Sequence, residues 1–270
     1  MTLREITYRI QNGLYSSAEE VENIIRSIKG HLIIPAVTMA AGVPLYRATR
    51  ISNFAEVTSI DRLSYKPAHL NNTFGRASTP NHTMFYGISA TNTLNALCSC
   101  LGEICPCLRD SHSKQDHYMI VLSKWILKKD FLLASIVDVD GNNKSDALKE
   151  FQHDEYLAAI SLLPNRYDVI EFWRMINREF TKRVAEEKEY MVSAYFSELI
   201  MSLKRYDGII YESVQSTDEK LKESLCVAIP PSVADNYLEY ESADLYEFDF
   251  VNIATPISPS ITKKDILPPQ

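Results

Sequence analysis

The chain has no excess of positive charge. Lys and Arg number 28 against 35 Asp and Glu, the net charge is −7, and basic residues never run longer than pairs such as Lys128-Lys129. General nucleic-acid binders show a basic excess or stripe, so nucleic acid is not expected as a partner. An anionic small molecule would need a few arginines focused into one pocket. Nor is there a run suited to a bilayer. The most apolar stretch, Leu32 to Leu45, is short and interrupted by Pro35, Thr38 and Gly42. The first residues, Met-Thr-Leu-Arg-Glu-Ile-Thr-Tyr, lack the basic-then-apolar pattern of a signal peptide, which points to a cytoplasmic protein. No G-x-G-x-x-G, P-loop or G-x-S-x-G occurs, so Rossmann, P-loop and serine-hydrolase chemistries lose ground. Asp138-Val-Asp-Gly-Asn-Asn143 fails as a calcium loop. With Gly141 in the glycine position, the first and last ligands fall on Ile136 and Ala147. It reads as a turn. There is no internal repeat and no low-complexity block.

What is present is an ordinary globular composition, 46% hydrophobic and 23% charged, over 270 residues. That length allows one large domain or a domain with an appendage. Four of the five cysteines cluster as Cys98-Ser-Cys100 and Cys105-Pro-Cys107. Two C-x-C pairs could supply a Cys₄ zinc site, but the spacing is not C-x₂-C and the segment reads as helical. Buried free thiols are the alternative, and no metal is expected. Cys226 lies in an apolar run and reads as core.

Helical spacing predicts a first helix over Ser17–Ile28, opened by a Ser17/Glu20 capping box. Leu45–Ile51 alternates as a strand and sends Arg47 and Arg50 to opposite faces, so one of them points inward and needs an anionic partner. The stretch from Asn72 to Ser89 holds Gly75-Arg76, a polar turn with Pro80 and Asn81, and the strand-prone Met84-Phe85-Tyr86. Such a bend brings an arginine close to an aromatic ring, an arrangement suited to an anion and a flat ring. A helix follows over Thr91–Glu103, with Glu103 at the end disfavoured by the helix dipole. His117–Leu122 and Phe131–Val137 read as two strands forming a pair. Ser145–Leu162 reads as helix, and Asp168–Lys204 as two helices or a bent one. Strands at Asp207–Ser213, Leu225–Ile229 and Leu238–Ile253 come before a polar tail. Strands at both ends of a helix-rich middle make an α+β layout.

The ordered set Leu45-Tyr46-Arg47-Ala48, Gly75-Arg76, Phe85-Tyr86, a helix bearing Glu103, and Tyr206-Asp-Gly-Ile-Ile-Tyr-Glu-Ser213 resembles the RES domain family. The resemblance covers roughly residues 43 to 240. The family's Gly-Arg-x-Asn reads Gly75-Arg76-Ala77-Ser78 here. The resemblance implies an ADP-ribosyltransferase-like split mixed/antiparallel sheet core with a helical insertion and an N-terminal helix. It divides the chain into an N-terminal helical appendage (1–42), an NAD-binding domain (43–255) and a flexible tail (256–270). It also implies cleavage of the nicotinamide–ribose bond of NAD⁺, by glycohydrolysis, phosphorolysis or ADP-ribose transfer, as in toxins of toxin–antitoxin pairs. The implied partners are NAD⁺, a protein acceptor and a cognate antitoxin. Arg76 would contact the phosphate or ribose side, with Arg47 a second pyrophosphate contact. Tyr86 would stack on nicotinamide, Glu103 would stabilise the ribosyl cation, and Ser213 would bond near the same ribose. The alternative is a non-catalytic protein that binds a nucleotide or a partner on the same fold.

Overall fold

The computed structural model describes residues 1–28, 30, 32–104, 117–141, 148, 156–182, 184, 186–212, 224–249 and 262–265. Two short helices come first, α1 (Leu3–Gln11) and α2 (Ala18–Arg26). Sequence reading begins the helices at Ser17, yet α1 carries its own signal. Thr2 and Glu5 cap its first turn reciprocally, side chain to backbone in both directions. At α2 the Ser17 hydroxyl accepts from Glu20 N–H, but the Glu20 carboxylate binds Ser16 N–H (2.8 Å) and Arg9 instead of closing the expected box.

The nine described strands form one curled mixed sheet in the order β1-β5-β6-β7-β3-β2-β4-β8-β9. They are β1 (Ala36–Met39), β2 (Pro44–Ile51), β3 (Phe85–Ser89), β4 (His117–Leu127), β5 (Phe131–Ser135), β6 (Gly208–Glu212), β7 (Leu225–Ile229), β8 (Leu238–Asp249) and β9 (Thr262–Asp265). All neighbours are antiparallel except β5 and β6. The expected pairing of the strands at 117–122 and 131–137 does not occur. Instead β4 lies between β2 and β8, and β5 between β1 and β6. The reason lies at the connections. Gly42 N–H donates to Leu127 O (2.8 Å), Leu127 N–H to Val43 O (3.3 Å) and Ala41 N–H to Asp130 Oδ1 (2.8 Å). The β1–β5 and β2–β4 ladders are therefore one ribbon, bent where Gly42 adopts φ +82°. Only β2 and β3 are barely joined. They share the single pair Tyr46–Ile88, whereas β2 runs along β4 from Pro44–Ile126 to Ile51–Met119. The sheet opens at that seam.

Strand side chains alternate between two cores. Tyr46, Ile88, Ile120, Ile209, Tyr211, Cys226 and Ala228 belong to one. It also takes the buried faces of α1, α2, α3 (Thr93–Ile104), α4 (Leu157–Ser161), α5 (Arg166–Thr181) and α6 (Met191–Ser202). Leu45, Phe85, Val121, Leu133, Ile210 and Val227 form the other, with Val57 and Leu63 from the β2–β3 connection and Ala234 from α7 (Pro231–Tyr237). The helical middle is two helices, α5 and α6, the second entered through a 3-10 turn at Glu187–Tyr190. The helix read over Ser145–Leu162 is described only at Leu148 and from Tyr156 onward, where α4 is its last turn. No helix among the described residues is long and apolar enough to cross a membrane.

Two boundary segments join this architecture. Residues 36–39, within the stretch read as an appendage, form the edge strand β1, and Ile6, Ile24 and Ile25 are fully buried in the helical core. Within the stretch read as a tail, Thr262–Asp265 pairs with Asp244–Glu247, because β8 offers an open ladder edge there. Ile24→Ala should therefore destabilise the entire chain by about 2–5 kcal/mol, the usual cost of such a cavity. Urea unfolding followed by tryptophan fluorescence checks this, since Trp125 and Trp173 both lie beyond residue 42. An unchanged midpoint would show that the first 42 residues unfold as a separate unit.

Candidate functional site

Where β2 and β3 part, a cavity of about 320 Å³ opens on the helical face of the sheet. Tyr46, Arg47 and Ala48 come from β2, Tyr86 to Ile88 from β3, Tyr211 from β6 and Cys226 from β7. The last turn of α3 covers it with Cys100, Glu103 and Ile104, and Gly75, Arg76 and Tyr190 complete the wall. Four of the residues singled out in the sequence, Arg47, Arg76, Tyr86 and Glu103, thus line one cavity. The fifth, Ser213, lies outside the described residues, as do Cys105 and Cys107. The volume sits at the small end of ligand pockets, about 300–1,000 Å³.

Tyr86 is fixed at both ends. Its hydroxyl donates to Ser78 Oγ (2.9 Å) and accepts from Ala77 N–H (3.0 Å). Its carbonyl accepts from Arg47 Nη1 (3.0 Å). Ser78 is therefore the anchor for the tyrosine hydroxyl. Gly75 is required by this close approach, since a Cβ there would lie 2.6 Å from Ser78 Oγ and 3.0 Å from the Tyr86 hydroxyl. Gly75 and Ser78 also close the turn through reciprocal backbone bonds.

The two arginines are not equivalent. Arg76 is buried, and Nη1 donates to Phe180 O and to Lys182 O (3.4 Å). Its Nη2 reaches Lys182 O (3.5 Å) and the Tyr190 hydroxyl (3.3 Å), and the Tyr190 ring lies 4.9 Å from the guanidinium carbon. These carbonyls end α5, where four acceptors lack helical partners and the dipole favours a cation. Arg76 is thus largely committed to holding the end of α5, with Nε as its remaining donor. Arg47 is half-buried and differently placed. Its Nη1 binds Tyr86 O where the β2–β3 ladder has stopped, and the Phe85 ring lies 5.6 Å away. Its Nε is withdrawn from solvent and has no acceptor, and no carboxylate among the described residues pairs with it. Burial, with Arg62 adding repulsion, brings its pKa down to about 10, so it is charged at neutral pH. A desolvated cation without a counter-ion carries a cost to the fold. The inward arginine expected from the sequence is this one, while Arg50 faces out.

Three other polar groups around the cavity stay neutral at physiological pH. Burial pushes the Cys100 thiol up to about 12, raises Tyr86, and holds Tyr211 well above the usual phenol range. A thiol so placed is not a nucleophile. Among the described residues Glu103 is the one carboxylate lining the cavity, and its charge is felt at both Cys100 and Tyr211. Cys98 is exposed while Cys100 is buried, so these helical neighbours at i and i+2 point to different sides and are not set to share one metal. Sequence reading assigned no role to Tyr46, Tyr190 or Tyr211. Tyr46 and Tyr211 lay within the quoted strand motifs, and Tyr190 lay within the segment read only as helical.

No protein-family model and no curated protein matches the chain. Arg47→Met keeps much of the side-chain length and removes the uncompensated charge. Below about pH 10 that charge counts against folding in full, because the depressed pKa is relieved only as pH rises through it. At pH 7 the ligand-free variant should be more stable by on the order of 1 kcal/mol. Urea denaturation measures this, and a loss of stability would assign Arg47 a structural role.

Proposed function

We propose that the chain is an NAD⁺-consuming enzyme that cleaves the nicotinamide–ribose bond on an ADP-ribosyltransferase-like fold. The observation that carries this reading is the convergence, in one cavity, of an arginine with unspent donors, a fixed tyrosine and the carboxylate of Glu103. The open seam between β2 and β3 and the ordered motifs that resemble the RES family support it. The 1–42, 43–255 and 256–270 division stays part of this reading only as the extent of the motif-bearing region.

In this reading Arg47 is the principal diphosphate contact. Its planar fork suits two oxygens at once, and the ligand supplies the missing counter-ion. Arg76 contributes mainly by holding the end of α5, with Tyr190, against the cavity. Tyr86 offers its ring to nicotinamide, its hydroxyl being already engaged. Scission of the C1′–N bond sends the bonding pair to the pyridinium nitrogen, which leaves as neutral nicotinamide. Positive charge remains on the ribose, where Glu103 stabilises it. The carboxylate helps more in the transition state than in the ground state, which is what accelerates the step. Water, phosphate or a protein nucleophile then attacks C1′ and gives up its proton. Ser213, two residues beyond the cavity-lining Tyr211, is kept as a ribose contact. A toxin role, a cognate antitoxin and a cytoplasmic setting belong to the same proposal.

A second reading is a nucleotide- or partner-binding protein without turnover. The commitment of Arg76 to the carbonyls of Phe180 and Lys182 favours it. Incubation with NAD⁺ and quantification of free nicotinamide separates the two. Glu103→Gln should lower release by about 10²–10³-fold with NAD⁺ binding retained. Release at the wild-type rate would remove Glu103 from the chemistry, and binding without release in the wild type would favour the second reading. Arg47→Ala should weaken NAD⁺ binding at least about tenfold by calorimetry, with a smaller effect counting against Arg47 as the diphosphate contact.

A further inference from the structure

Arg47 lines a second cavity as well. This one, of about 680 Å³, continues from Ala48 along Thr49 and Arg50 of β2 and is closed by the connection between β2 and β3. Among the described residues its charged lining consists of Arg47, Arg50, Arg62 and Lys66 against a single acid, Asp61. On a chain with net charge −7, four cations around one cavity are a local inversion of sign. Clustered cations repel one another, and Arg62 acts on Arg47 in that sense. The two cations on the connection are compensated only weakly. Arg62 makes one exposed pair with Glu56 at 3.4 Å, and Lys66 makes no ion pair among the described residues.

The wall that carries Arg62 and Lys66 is held in place. Leu63 is fully buried, its carbonyl accepts from Ser123 Oγ (3.4 Å), and the Tyr65 hydroxyl binds both oxygens of Asp235 (2.7 and 2.8 Å). Pro67 follows Lys66 and restricts its backbone. The cations are therefore presented from an anchored loop, which lowers the entropic cost of binding an anion there.

Resting on the proposed function, the two cavities divide a dinucleotide at Arg47. The nicotinamide riboside occupies the first cavity, the diphosphate meets Arg47, and the adenosine half enters the second. Adenosine itself is uncharged and gives Arg62 and Lys66 nothing to neutralise. A phosphate on its ribose does, and arginines beside the adenosine ribose are the usual means of holding a 2′-phosphate. We infer that the preferred substrate is the 2′-phosphorylated dinucleotide, NADP⁺, its 2′-phosphate held between Arg62 and Lys66.

The test compares nicotinamide release from NADP⁺ and NAD⁺ by the wild type and by an Arg62→Ala/Lys66→Ala variant. It is joined by calorimetric titration of the wild type with adenosine 2′,5′-bisphosphate and with 5′-AMP. The expected result is a kcat/KM at least about tenfold higher for NADP⁺, reduced about tenfold in the variant, and tighter binding of the bisphosphate than of 5′-AMP. Equal turnover of the two dinucleotides, or a preference for NAD⁺, overturns the inference while leaving NAD⁺ cleavage standing. So does release that rises with added inorganic phosphate and shows no NADP⁺ preference. If neither dinucleotide is cleaved, preferential binding of the bisphosphate still upholds the phosphate site and the enzymatic reading falls alone. Equal or absent binding of both mononucleotides then overturns the inference as well.

Discussion

A guanidinium taken partly out of water must find negative charge or acceptors, and at Arg47 the described residues supply one, the Tyr86 carbonyl. That constraint organises the centre of the molecule. The bond is available because β2 and β3 separate after Tyr46–Ile88, leaving a carbonyl on β3 without a ladder partner. If the ladder continued, the carbonyl would be spent on backbone and the arginine would be pushed into solvent. The seam, the cavity and the unbalanced charge are consequences of one interruption in strand pairing. Continuous ladders on either side, β3–β7 and β2–β4, keep that interruption local.

The interruption is itself maintained from a distance. The ribbon formed by β1–β5 and β2–β4 bends at Gly42 and carries the chain from one half of the sheet to the other. Both halves are thereby held covalently and by hydrogen bonds, so β2 and β3 need not be zipped for the sheet to persist. Apolar packing on each face supplies the rest, with α1, α2, α5 and α6 over one half-core and the β2–β3 connection over the other.

The α+β class was legible in the sequence because period-2 and period-3.6 patterns are local. The strands around Leu45, Phe131, Ile209 and Leu225 fall close to where alternation places them. Arg47, Arg76, Tyr86 and Glu103 were gathered into one set only by the resemblance, since the local pattern marks each as a strand, turn or helix end without saying that all four meet. The pairing of β4 and β5 was not legible. Two strands three residues apart read as a hairpin, and only the bonds from Gly42 and Ala41 to Leu127 and Asp130 turn them into one bent strand. The differing duties of the two arginines were equally hidden. Phe180 and Lys182 lie more than a hundred residues from Arg76, and no local pattern announces that their carbonyls will take its donors. The α1 helix is the opposite case. Its Thr2–Glu5 box stood in the sequence, short enough to pass as an irregular lead-in to α2.

The loop between Gly75 and His82 belongs to both layers at once. Tyr86 and Ser78 tie it to the sheet, while Thr79 donates to Glu198 of α6 (3.0 Å) and accepts from His82 Nδ1 (2.9 Å). Glu198 in turn receives Arg26 from the end of α2 (3.0 Å). The hydroxyl of Thr79 has one proton and gives it to Glu198, so the histidine must present its N–H at Nδ1. The loop therefore works as a linkage pin: a displacement of α6 against the sheet is delivered to the Gly75–Ser78 turn, and through Ser78 to the ring of Tyr86. Through these bonds α2 and α6 bear on the position of Tyr86, one of the four tyrosines among the described residues that line the cavity.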